Sequence, residues 1–218
     1  MGSIPKAGGV AAPLTVGTLN HPMDVTADAT NIYFMSNVGA LMSMPKGGGP
    51  AVTLASDQQP SGPIVVDDTS VYWANHTPVG QDGGGAIRKV AKAGGAPVTL
   101  ASGFQIAYGV VEDDTSIYYA TGATLMKVAK AGGAPITLVS DKDAVWIAVD
   151  DTHVYFTDST TLSVIPKSGG TPKVLMKLEP GGIQNMMGSI AVDATSIYWM
   201  RVKTATSNYE SWLMKMPK

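Results

Sequence analysis

A lysine followed by a small residue and two glycines recurs at Lys6, Lys46, Lys92, Lys130 and Lys167, and Lys218 stands where a sixth copy would begin. The spacings are 40, 46, 38, 37 and 51 residues. A period this long belongs to stacked supersecondary units, each too small to bury its own apolar face. The least edited copy spans residues 146–170, WIAVDDTHVYFTDSTTLSVIPKSGG. Its apolar run 147–149 meets a turn at 150–152, an aromatic-rich run follows at 154–157, and a third run at 162–165 passes through Pro166 and Gly169-Gly170 into a fourth at 173–176. Turn signals between short β-branched and aromatic runs predict four antiparallel strands, A to D, per unit. No stretch holds a 3.6-residue apolar period, so helix is expected to be scarce.

The repeated columns have structural explanations. Asp28, Asp67, Asp113, Asp150 and Asp193 each stand two residues before Thr30, Thr69, Thr115, Thr152 and Thr195, the spacing at which a carboxylate accepts a backbone N–H and holds a tight A–B turn. A calcium array is the rival reading of these five acids. The glycine pairs supply the positive φ of a C–D turn. No helix follows them, which argues against a phosphate cradle. Pro13, Pro50, Pro97, Pro135 and Pro172 fall near the start of strand D, where a missing N–H protects an outer edge. Tyr33, Tyr72, Tyr118, Tyr155 and Tyr198, each followed by a second aromatic, are expected to pack between neighbouring units.

A period near 40 to 45 residues with four strands is that of a β-propeller blade, and the residues support it. Segments 147–158 (IAVDDTHVYFTD) and 190–199 (IAVDATSIYW) resemble the repeat of YWTD and NHL-type β-propellers, with Tyr155, Phe156, Thr157 and Asp158 in the tetrad column. The tetrad is never intact, and its fourth position runs Ser36, Asn75, Thr121, Asp158 and Arg201. The expected fold is all-β: one five-bladed propeller domain over 1–218, with repeats at about 7–46, 47–92, 93–130, 131–167 and 168–218. The last repeat supplies strands A to C and the run 14–16 supplies a D strand, so the two ends are expected to complete one blade and close a monomeric ring. A piece of a larger ring would instead need oligomerisation or strand exchange to cover its open faces.

Composition narrows the partners. Charged residues make up 15% and the net charge is −2, so there is no basic field for nucleic acid. The absence of cysteine removes disulfides, thiol catalysis and Cys-ligated zinc. No apolar run has the roughly 18 residues of a membrane span, and residues 1–9 lack the cationic-then-apolar pattern of a signal peptide. Extracellular or periplasmic placement rests on analogy with similar bacterial propellers.

Strand alternation sorts the loops. A–B and C–D turns share one end of each blade and are nearly identical between copies, so that end reads as scaffold. B–C and D–A loops share the other end and differ most at 75–86, 178–188 and 202–211, as expected of a binding surface. Seven positions before the turn aspartates stand His21, Pro60, Ile106, Asp143 and Met186, and four before stand Asp24, Pro63, Gly109, Trp146 and Ser189. These sets are unlike one another, which disfavours one identical sugar site per blade and favours a single asymmetric site at the axial mouth. Binding candidates are His21, Asp24, Asn75, His76, Tyr108, Asp143 and Trp146, with Trp212 as a further groove aromatic.

Three readings follow. The leading one is a ligand-binding or protein-interaction module, taking a small molecule, glycan or peptide at one asymmetric site. The second is a metal-dependent hydrolase of lactones, esters or phosphotriesters, with His21, Asp24 and Asp143 around a divalent cation such as calcium. Propeller lactonases resemble this in placing calcium in the central channel, but their Glu, Asn and Asp ligand pattern has no residue-by-residue match here. The third is a structural, adhesive or lectin-like repeat protein. No Ser-His-Asp grouping, HExxH, P-loop or dinucleotide fingerprint is present. Asp24 and Glu112, near opposite ends of strand A, are poorly placed as a glycosidase pair, so no catalytic residue is assigned. Glu112 is the one charge in a column of Ala27, Val66, Val149 and Val192, and is expected to face channel water.

Overall fold

A computed structural model describes residues 2–3, 12–14, 22–58, 60–76, 84–140, 143–178, 185–204 and 209–218. Every regular element among them is a strand. Strands β1 (Gly2–Ser3) and β2 (Ala12–Pro13) pair with each other. The remaining strands form five antiparallel meanders in which sequence neighbours are sheet neighbours.

The chain divides into two compact units, Met1–Gln105 and Ile106–Lys218. In the first, one sheet consists of β3 (Pro22–Ala27), β4 (Asn31–Ser36), β5 (Leu41–Pro45) and β6 (Val52–Ala55). The next consists of β7 (Pro60–Val66), β8 (Ser70–Asn75), β9 (Gly85–Ala91) and β10 (Val98–Phe104). The second unit holds a third sheet, β11 (Gly109–Glu112), β12 (Ser116–Ala120), β13 (Leu125–Ala129) and β14 (Ile136–Val139). Its fourth sheet is β15 (Trp146–Val149), β16 (His153–Thr157), β17 (Thr161–Pro166) and β18 (Lys173–Lys177). Its fifth has three described strands, β19 (Asn185–Val192), β20 (Ser196–Thr204) and β21 (Tyr209–Pro217). Of the run 14–16 expected to give this sheet a fourth strand, only Leu14 lies among the described residues.

The strand bounds expected for the fourth repeat agree with β15 to β18 to within a residue. The last repeat departs further. Segments expected as loops at 178–188 and 202–211 are partly strand, because β19 starts at Asn185 and the β20–β21 ladder runs on to Thr204 and Tyr209. Paired in register, these backbone groups satisfy one another, and a bulge between Met187 and Ile190 absorbs Gly188 and Ser189.

Strand B is apolar on both faces because it is covered on both. Tyr33, Phe34 and Met35, like Tyr118, Tyr119 and Ala120, are buried without alternation. In the first unit, Tyr33, Met35 and Leu41 pack against Ile64, Val71, Trp73 and Val90 of the following sheet. In the second, Tyr118, Ala120 and Leu125 pack against Ile147, Val154 and Phe156, and Tyr155 and Leu162 against Ile197 and Trp199. The core is therefore a series of layers between sheets. Strand D is the outer edge, where Val52, Val98, Ile136 and Val174 are exposed at equivalent positions.

The turn end is bound together by a repeated network. In all five repeats the turn aspartate Oδ1 accepts the backbone N–H of the threonine two residues on, at 2.8 to 2.9 Å. The same oxygen accepts the next N–H, and Oδ2 accepts the tyrosine hydroxyl five residues on, at 2.7 to 2.9 Å. The repeated lysine adds a link between sheets. Its backbone N–H donates to the threonine carbonyl of its own A–B turn, as Lys92 does to Thr69 and Lys167 to Thr152. Its side chain reaches the aspartate of the preceding repeat: Lys92 to Asp28 at 2.7 Å, Lys167 to Asp113 at 2.8 Å and Lys218 to Asp150 at 2.7 Å. The same ammonium groups lie 5.4 to 5.9 Å from the ring centroids of Tyr33, Tyr118 and Tyr155.

These contacts set the charge states. Lys92, followed by the backbone N–H of Asn31, holds the Asp28 carboxyl far below its ordinary value. At Asp113 and Asp150 burial acts upward and is the largest single influence, but the lysine, tyrosine and N–H donors together outweigh it and the net shift is downward. Burial, reinforced by the adjacent aspartate, pushes the Tyr33 and Tyr155 phenols up to about 12. A lowered folded-state carboxylate pKa contributes stability above the unfolded value near 4, which is lost as pH falls through the folded value; a raised phenol contributes stability below about 10, which is lost as pH rises towards 12. Urea unfolding across pH is therefore expected to show a plateau between about pH 5 and pH 9 with both flanks falling. Lys167→Met is expected to cost roughly 1 to 3 kcal/mol at neutral pH by leaving Asp113 without its cation. Lys173→Met, on an exposed edge strand and in no ion pair among the described residues, should cost far less in the same titration.

Candidate functional site

The expected binding residues belong to the end of the sheets opposite this network. His21 lies outside the described residues. Asp24, in β3, is half-buried, and its Oδ2 accepts the backbone N–H of Ile64 at 2.7 Å, so its carboxylate ties the first sheet to the second. Asn75 is buried at the end of β8. Its Oδ1 accepts the Trp73 indole N–H at 2.8 Å, and its Nδ2 donates to Gln58 Oε1, which also accepts from Arg88. Asn75 thus satisfies a fully buried tryptophan. His76 is half-buried at the mouth of the same hairpin.

The second unit presents a different surface. Tyr108 is 45% exposed and Trp146 39% exposed, and Asp143 is exposed three residues before Trp146. Backbone geometry brings their segments together. Gly122 and Ala144 form an antiparallel bridge, each donating its N–H to the other's carbonyl at 3.1 Å. A Cβ on Gly122 would stand 3.0 Å from Cε2 of Tyr108, and one on Gly109 would stand 2.8 Å from the Val145 carbonyl and 3.0 Å from Ile147 Cγ1. Gly109 therefore lets the start of β11 lie against the segment that carries Trp146, and Gly122, bridged to Ala144, leaves room for the Tyr108 ring. Trp212, also 39% exposed, lies in β21 with the Arg201 guanidinium 5.4 Å from its ring centroid.

Among the described residues no three His, Asp or Glu side chains gather as a metal-ligand group. Asp24 and Asp143 belong to different units. Glu112, the one charge in its strand-A column, pairs with Lys130 on the turn side. That side also carries a cleft between the third and fourth sheets, lined by Asp113, Asp150, Lys127 and Lys167, where Lys167 pairs with Asp113 and Lys218 with Asp150. Gly109 stands in a strand-A column of unlike residues, where the missing side chain is itself the mark of close backbone approach.

No family model matches the chain, and no curated protein matches it. Solved structures do. A chain from a nidogen/laminin complex is similar with a TM-score of 0.65 at 14% identity, covering 83% of this chain and 74% of that one. The tricorn protease gives 0.65 at 13% identity over 97% of this chain but only 23% of its own. Regucalcin, a calcium-binding protein from Agrobacterium tumefaciens, gives 0.56 at 15% identity, over 84% of this chain and 68% of its own. These likenesses are of fold: the five meanders are of the β-propeller kind.

Gly109→Ala forces a methyl against the Val145 carbonyl. It is expected to lower unfolding free energy by about 1 to 3 kcal/mol, measured by urea denaturation, and to shift tryptophan emission as the Trp146 segment is displaced.

Proposed function

We propose that this chain is a non-catalytic binding module whose site is the aromatic surface of Tyr108 and Trp146, with Asp143 at its margin. What supports this is the contrast between the two ends of the repeats. At the turn end each of the five turn aspartates is engaged by its own backbone N–H groups and tyrosine hydroxyl. At the other end the repeats differ, and two large aromatic side chains, Tyr108 and Trp146, stand exposed on neighbouring sheets, where Gly109 lets the start of strand β11 approach the Val145 carbonyl. An aromatic face with a neighbouring carboxylate suits a flat apolar ligand surface carrying donors, such as a sugar ring with its hydroxyls or an extended peptide.

One asymmetric site fits the sequence better than a site per blade, because the residues equivalent to Trp146 are Asp24, Pro63, Gly109 and Ser189. Five blades over 1–218 are part of this reading. The similar structures include a complex with a protein partner and a calcium-binding protein. Of the metal-ligand candidates, Asp24 is occupied by a backbone N–H, so the hydrolase has less to rest on than the aromatic surface.

The test is a glycan and peptide array, followed by calorimetry on the best ligand. Trp146→Ala and Tyr108→Ala should each weaken binding at least tenfold, about 1.4 kcal/mol, with unchanged thermal unfolding, whereas His153→Ala on the turn side should leave it intact. Equal affinity in all three variants would sink the proposal, as would turnover of an ester or lactone that depends on Asp24.

A further inference from the structure

The repeats are alike in sequence but not in exposure. At the B–C end of every sheet one residue of strand B stands directly opposite one of strand C: Met35 and Leu41, Ala74 and Ile87, Ala120 and Leu125, Thr157 and Leu162, Met200 and Leu213. In the first four sheets all eight side chains are 2% exposed or less. In the fifth, Met200 is 43% exposed and Leu213 78%. Where the packing is described within a unit, this is the face that receives the following sheet: Tyr33, Met35 and Leu41 lie under Ile64, Val71 and Trp73, and Tyr155 and Leu162 under Ile197 and Trp199.

The polar network reports the same gap. Asp28, Asp113 and Asp150 each hold a lysine from the following repeat. Asp193 accepts N–H groups of Thr195 and Ser196 and the Tyr198 hydroxyl, and has no cation among the described residues. The complement is on the first sheet. Lys46 is the repeated lysine with no carboxylate partner among the described residues, although its backbone N–H is anchored to the Thr30 carbonyl as in the other repeats. On that sheet's other face Val25 is 56% exposed, whereas its counterparts Ile64, Val110 and Ile147 are 6% exposed or less; Phe34 and Met44 nearby are already covered.

We infer that the open face of the last blade, Tyr198, Met200 and Leu213 beside Asp193, is a docking surface for the first blade of a second copy of this chain, which brings Val25 onto the apolar face and Lys46 to Asp193. The contact repeats the lysine-to-aspartate link found within each unit and uses Val25 of the apolar positions, because Phe34 and Met44, the counterparts of Trp73 and Val90, are covered within one chain. It is heterologous, joining unlike faces, so each copy keeps one face of either kind for a further copy unless a ring of copies closes.

Two measurements test it. Light scattering after size exclusion should give at least twice the 22.6 kDa chain mass, and Leu213→Glu should return it to one chain, with strand content and thermal unfolding checked on the same sample. Because the chain has no cysteine, Lys46→Cys and Asp193→Cys can be made singly and treated with a short bismaleimide. The mixture should yield a cross-linked dimer that neither protein gives alone, and Leu213→Glu in the Asp193→Cys partner should abolish it. A chain that runs at 22.6 kDa and cross-links within itself when both cysteines are present would overturn the inference in favour of a ring closed by one chain. So would a single-chain mass with no cross-link in the mixture.

Discussion

The interaction on which the architecture depends is the reach of one lysine from its own repeat to the aspartate of the repeat before. An apolar layer between two sheets is not directional; it tolerates sliding and rotation as long as area stays buried. The link from Lys92 to Asp28, or from Lys167 to Asp113, is directional. Its origin is fixed because the lysine's backbone N–H is bonded within its own turn, and its target is fixed because the aspartate is held by backbone N–H donors and a tyrosine hydroxyl. Side-chain entropy is the usual reason a surface ion pair contributes little. Here the tyrosine ring under the ammonium group has already restricted the lysine.

Much of this could be read from the chain. The strands of the repeat at 146–170 were legible to within a residue because four signals coincide there: β-branched runs, an aspartate-threonine turn, a glycine pair and a proline before the edge strand. The aspartate and lysine columns were equally plain, but as separate columns. A carboxylate two residues before a threonine is explained by its own turn, and nothing in the spacing says that a lysine of the next repeat shares it. That link is a contact between layers, which a pattern along one strand does not carry. Glu112 illustrates the same limit: it breaks an apolar column, yet its partner Lys130 comes from strand C's turn.

The candidate site was legible in part. Trp146 and Tyr108 stood out as aromatics in variable segments, and both are exposed. Asp24 and Asn75 stood out for the same reason, being polar residues among unlike neighbours, but each is absorbed into structure, one by the Ile64 N–H and one by the Trp73 indole. Polarity alone does not separate a residue that waits for a ligand from one that satisfies a buried donor. Gly109 and Gly122 are hard to read for the opposite reason: a residue without a side chain leaves no chemical mark, only room for a neighbour.

The turns carry a consequence for how such a chain grows. In the three links described, one repeat presents an aspartate to the repeat after it and receives a lysine from it, so those joints are alike. A duplicated or deleted repeat would meet its neighbours with the matching halves already in place. The number of blades is then not written into any single joint of this kind, because a link made by one pair of side chains carries no record of how many others there are.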